Sequence, residues 1–296
     1  MKSKLTIIRF LSILLLGFFS SCEDVVQIDL DKGQSQLVVD AIINNKADTQ
    51  NIYLSQSIDY FDNSGKLFPV LADTVYITDN EGNAFVFSPH SPGRYVYVPN
   101  PLDSFTIGNL YTLHVRAQNH SYVAQSKMER VTSIDSIGQI KNEGGGFGGG
   151  GTEPIGSFVY LYAKDLPGQT DIAWIRTYRN GKFLNAVDKL NLVYNAADGP
   201  GSPTDGLEFI FPICFIRTND FANPYLSGEK VKIELYSISE GYYYFLRLAA
   251  EQSQNGGLFA TPPVNVKTNI EPVGNAPKAL GYFNVGASKE LEITID

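Results

Sequence analysis

The sequence is poor in the residues that most often build catalytic and metal centres: its 296 residues include two cysteines, three histidines, two methionines and one tryptophan. His90, His114 and His120 are scattered, and neither H-E-x-x-H nor a paired-cysteine spacing accompanies them, so no zinc site is expected. No G-x-S-x-G marks a serine nucleophile, although a triad assembled from distant residues stays open. The run Gly144-Gly-Gly-Phe-Gly-Gly-Gly-Gly151 is followed by Thr152-Glu-Pro rather than the lysine of a phosphate cradle, which argues against nucleotide binding. Asp79-Asn-Glu-Gly-Asn83 lacks the spaced ligands of a calcium loop. Asp29 with Asp31, and Glu290 with Glu292, read as solubility groups rather than as a glycosidase pair. A non-catalytic protein without metal or cofactor is therefore the expectation.

Charge is sparse too, at 18% of residues, and it is unbalanced towards a net −8. An acidic body of this kind repels nucleic acid and anionic lipid.

Long apolar runs are also missing. The stretch Leu11-Ser-Ile-Leu-Leu-Leu-Gly-Phe-Phe19 has nine residues, about half of the roughly 20 a membrane-crossing helix needs. It follows Lys2, Lys4 and Arg9 and precedes Ser20-Ser21-Cys22, the three zones of an export signal. Small residues before a cysteine resemble the lipobox of bacterial lipoproteins, in which the thiol takes diacylglycerol, the leader is cut off and the freed amine is acylated. Residues 1–21 are thus the expected leader and Cys22 the lipidation site, which carries a covalent lipid, and no cofactor is expected. Two or three acyl chains anchor stably where one is marginal. The alternative is a plain secretory leader with an incidental cysteine. Loss of the leader removes three positive charges and leaves −11 on residues 22–296. Cys214, within Phe209-Ile-Phe-Pro-Ile-Cys-Phe-Ile216, reads as a small buried hydrophobe.

What is abundant is aromatic: 17 tyrosines and 18 phenylalanines suit half-buried pleated surfaces. After an acidic tether over 22–33, seven short strands between Gln36 and Met128 predict an N-terminal β-sandwich, immunoglobulin-like or prealbumin-like, over 34–130. One hairpin turns at Asp79–Asn83. In the sixth strand Tyr111, Leu113, Val115 and Ala117 share a face, leaving His114 and Arg116 outward. A second β-rich domain over 131–296 carries the glycine-rich loop 144–151. Its expected strands are 155–163, 172–179, 182–187, 207–216, 229–236, 280–285 and 290–295. Asn180-Gly181 is its clearest hairpin signal. One helix is expected over about 239–254, opened by the capping-box spacing of Ser237-Ile-Ser-Glu240. Tyr242 is expected in the core, whereas Tyr60 and Phe61, in a loop, are candidate contacts for a ligand or partner.

Several segments together resemble a known family. They are Cys22-Glu-Asp-Val-Val-Gln-Ile-Asp-Leu30, Gln36-Leu-Val-Val-Asp40, Leu54-Ser-Gln-Ser57 with Tyr60-Phe-Asp-Asn63, Ser91-Pro-Gly-Arg-Tyr95, Tyr111-Thr-Leu-His-Val115, Arg176-Thr-Tyr-Arg-Asn-Gly-Lys182 and Leu280-Gly-Tyr-Phe283. Their order and spacing resemble the Bacteroidetes outer-membrane lipoproteins catalogued as domain of unknown function 4249 (DUF4249). The resemblance brings no catalytic residues with it. It implies an outer-membrane lipoprotein near a TonB-dependent receptor, an accessory or binding protein in nutrient uptake. The alternative is a structural or adhesive cell-surface lipoprotein. Acidic residues beside the cysteine, here Glu23 and Asp24, resemble the signal for outward display in that group. Asp73-Thr-Val75 and Asp135-Ser-Ile137 match its O-glycosylation tripeptide, which makes Thr74 and Ser136 candidate modification sites.

Overall fold

Leu37, Val39, Ala41 and Ile43 are buried while their neighbours are not, so β1 (Leu37–Asn44) covers a core with one face. The computed structural model describes residues 35–58, 62, 64–100, 105–142, 155–216, 223–254 and 266–296. After β1 come β2 (Gln50–Gln56), β3 (Phe68–Pro69), β4 (Ala72–Asp79), β5 (Ala84–Val86), β6 (Ser88–Ser91), β7 (Arg94–Tyr97), β8 (Leu110–Ala117) and β9 (His120–Lys127). The strands β1, β2, β7 and β6 lie side by side, with β3 against β2, while β9, β8, β4 and β5 form a second row. Buried residues of both rows, Ile52 and Leu54 from one and Ile77, Leu113 and Val115 from the other, belong to a single core. His114 faces outward as expected and stacks on Tyr76 at 4.5 Å between ring centroids.

The next strands are β10 (Ile134–Asn142), β11 (Gly156–Ala163), β12 (Ile172–Arg179), β13 (Lys182–Phe183), β14 (Asn191–Tyr194), β15 (Phe215–Ile216) and β16 (Lys230–Ser237). They are followed by helix α1 (Glu240–Ser253), β17 (Glu271–Pro272), β18 (Leu280–Gly286) and β19 (Ser288–Thr294). The protein is mainly β, with one helix among the described residues. One sheet has the order β10-β11-β15; another runs β13-β12-β16-β19 with β14 also on β12. Their inner residues Leu161, Ile175, Val231 and Ile233 continue the same core.

The expected border at 130/131 does not separate the sheets. β18 pairs in parallel with β1 from Val38↔Leu280 to Asn44↔Gly286, and β17 pairs with β9. Residues Ser35–Asp296 form one compact unit. Gly281 shows how close that parallel seam is, because its φ of +93° favours glycine and a Cβ there would strike the Val39 carbonyl. Buried Tyr236 donates to the Ile43 carbonyl at 2.7 Å, tying β16 to β1.

Three expectations need correction. The stretch 207–216 forms strand only at Phe215–Ile216. Pro212 has no N–H to give a ladder, and the chain turns there instead, with Cys214 N–H bonded to the Ile210 carbonyl. Likewise 182–187 is strand only at Lys182–Phe183, beyond which a short 3-10 turn forms at Val187–Lys189. The helix is capped by Ser239, whose hydroxyl accepts from Tyr242 N–H at 3.2 Å. Ser237 is buried instead, its Oγ donating to the Glu129 carbonyl at 2.7 Å.

Candidate functional site: a cavity beside the helix

β12 is buried on both faces. One face meets the common core. On the other, register with β16 and β19 builds three rungs: Trp174–Tyr236–Ser288, Arg176–Glu234–Glu290 and Tyr178–Lys232–Glu292. Residues directly opposite on paired strands share a face, so alternation alone brings Arg176 onto Glu234.

Glu234 is only 1% exposed. Lys46, from the β1–β2 connection, reaches between the two glutamates, 2.7 Å from Glu234 and 2.5 Å from Glu290. Tyr178 donates its hydroxyl to Glu234 at 2.8 Å, Ser288 also bonds it, and Arg176 lies 3.8 Å away. Burial pushes the Glu234 carboxyl up, but these bonds and charges outweigh burial and hold it below its ordinary value. For Lys46 burial pushes down, and the two glutamates raise it overall.

Arg176 lies between two rings, its guanidinium carbon 3.8 Å from the Tyr236 centroid and 4.4 Å from the Trp174 centroid. Its Nε is buried and has no hydrogen-bond partner among the described residues. The stack holds Trp174, which also touches Phe183 at 5.7 Å between centroids.

Trp174 then reaches a cavity of about 360 Å³. The cavity lies between the turn Val187–Lys189, which joins β13 to β14 along β12, and the second half of α1. Its apolar wall includes Trp174, Leu184, Leu190 and Ile213. Helix residues Arg247, Ala250 and Glu251, with Gln254 at the C-cap, line it at spacings of three and four, one side of a helix. Tyr242, Tyr243 and Leu246 are the buried residues of the helix, with Tyr243 one turn before Arg247. Arg247 donates to the Tyr243 hydroxyl at 3.0 Å, and that hydroxyl donates to the Asp198 carbonyl at 3.0 Å. With Lys189, Asp198 and Glu251 also lining it, the cavity carries two charges of each sign.

Of the residues singled out from sequence, Cys22, Tyr60 and Phe61 lie outside the described residues, as does the loop 144–151. Thr74 on β4 and Ser136 on β10 are both exposed. Thr74 stands opposite Arg116, and Ser136 opposite Tyr162. Neither Thr74 nor Ser136 lines the cavity. Cys214 is partly buried against the core, and burial raises its thiol. No group of three or more His, Cys, Asp or Glu residues able to hold a metal occurs among the described residues. Nor is any helix there long and apolar enough to cross a membrane.

Sequence reasoning missed Arg176, Glu234 and the cavity. The run Lys230-Val-Lys-Ile-Glu-Leu-Tyr236 shows charge alternating with apolar residues, the pattern of a solvent-facing edge. Nothing in it separates half-exposed Lys232 from buried Glu234.

A mainly β body that combines a shared core with a ligand-sized cavity under one helix defines the class. A family model described as a domain of unknown function (DUF4249) matches residues 23–292, and the chain belongs to that family. No curated protein matches the chain.

Proposed function

We propose that this chain is a lipid-anchored protein of the outer membrane, held by acylated Cys22 and facing the cell surface. There it acts without catalysis, as an accessory that captures a ligand for a TonB-dependent receptor or docks onto it. The observation that carries the reading is the N-terminal order of basic residues, a nine-residue apolar run and Ser20-Ser21-Cys22. Acidic Glu23 and Asp24 directly after the cysteine support outward display. The receptor as partner is supported by the resemblance of the ordered segments from Cys22 to Phe283. A body of net charge −11 keeps the protein off anionic lipid, so the acyl chains rather than the surface hold it. The cavity beside α1 supports binding as the task of the body.

Affinity purification of the tagged protein from native membranes tests the partnership. Co-recovery of a TonB-dependent receptor is the expected result. Recovery of the protein alone, under conditions that keep other outer-membrane complexes intact, contradicts it.

A further inference from the structure

We propose that the cavity beside α1 binds a short uncharged saccharide, one or two sugar rings in size, against Trp174. The inference deepens the binding role above and rests on it for a place in the cell, but its chemistry comes from the lining. At about 360 Å³ the cavity falls at the lower end of small-ligand sites, which suits a compact ring rather than a long chain. Its two cations, Lys189 and Arg247, offset its two anions, Asp198 and Glu251, so an ion of either sign gains no net field on leaving water.

A wholly apolar ligand fits no better. It would strip water from the exposed side chains of Lys189 and Glu251 and return no hydrogen bonds. A sugar ring matches both halves of the lining, because its C–H faces pack on flat apolar surface and its hydroxyls both donate and accept. The flat surface is Trp174, held from one side by the Arg176 guanidinium at 4.4 Å and ready before the ligand arrives. The hydroxyl partners are the Glu251 carboxylate and the Arg247 guanidinium on one side of α1, with the Asn191 amide, whose nitrogen also donates to the Ile213 carbonyl at 3.4 Å.

Trp174 is the sole tryptophan of the chain, so intrinsic fluorescence reports directly on this cavity. The purified full-length protein, in a detergent without a sugar headgroup, is titrated with glucose, galactose, N-acetylglucosamine, maltose and cellobiose. Glycylglycine and acetate serve as charged probes. A saturable change in tryptophan emission with at least one sugar, and none with the charged probes, is expected. Ala250→Phe sets a ring into the cavity from the helix side, keeps Trp174 as reporter and should lower affinity tenfold or more. Glu251→Gln, at an exposed position, should weaken binding about tenfold while preserving the fold, and it carries the test if Ala250→Phe does not fold. The proposal is overturned if no sugar perturbs the emission, if glycylglycine or acetate does so instead, or if both folded variants bind as tightly as the wild type. Such a failure leaves the envelope reading standing, because lipidation and partnership are measured separately.

Discussion

Glu234 lies on a strand whose alternate residues Val231, Ile233 and Leu235 fill the core, so its side chain points away from that core towards Arg176 and Lys46. Removing one partner of a buried ion pair leaves the others uncompensated, a cost of about 3–5 kcal/mol. Glu234→Gln is therefore expected to destabilise the protein by about 3 kcal/mol in chemical denaturation, near the lower figure because part-exposed Lys46 keeps Glu290. The same residue predicts a pH dependence. Glu229, Glu234 and Glu290 are all held below their ordinary 4.5. Carboxylates of this kind stabilise the fold above pH 4.5 and lose that contribution as pH falls through their lower folded values. Asp165, raised by burial above its ordinary 3.8, works in the opposite direction. Measured stability should thus fall below pH 4.5, and the fall should be shallower in Glu234→Gln; an unchanged acid limb would remove Glu234 from the account. Glu290, taken from sequence as a solubility group, belongs to this network through Lys46 and Lys232. The sequence could not show that, since Lys46 and Glu290 are separated by 244 positions.

At the scale of elements, local chemistry was legible wherever it was decisive. Asn180 and Gly181 both take positive φ, 51° and 79°, and turn β12 into β13 as the Asn-Gly pair predicts. The hairpin at Asp79–Asn83 forms around Gly82 at φ +91°, with the Asp79 carboxylate accepting from Glu81 and Asn83 N–H. Strands were missed where alternation fails. β10 has a register shift between Ile134 and Ser136, and the Tyr162 ring lies over Gly138, so its apolar residues follow no strict period. The sequence pattern gives the helix but points to a cap two residues early, because Ser237 and Ser239 both precede Glu240 and only packing buries the first. Ser239→Ala should cost about 1 kcal/mol, read as a lower thermal midpoint with α1 loosened. An unchanged midpoint would mean that packing of Tyr242, Tyr243 and Leu246 alone holds the first turn.

For the whole molecule, composition announced β structure, and the strand spacing announced the N-terminal rows. Long-range closure was not legible. That β18 returns to pair in parallel with β1, and that Tyr236 and Ser237 reach Ile43 and Glu129, depends on contacts across more than 100 residues. Residues 34–130 produced alone would leave the β1 edge bare and the core without Phe283 and Val285. They are expected to lack a cooperative unfolding transition; a stable isolated sandwich would contradict the shared core.

The proposed role at the envelope depends on the amino terminus. Mass spectrometry of the N-terminal peptide, taken from protein extracted from its native membrane, tests it most directly. The expected result is a chain that begins at Cys22 and carries diacylglycerol on the sulfur. A free thiol at that position, or a leader still attached, would contradict it.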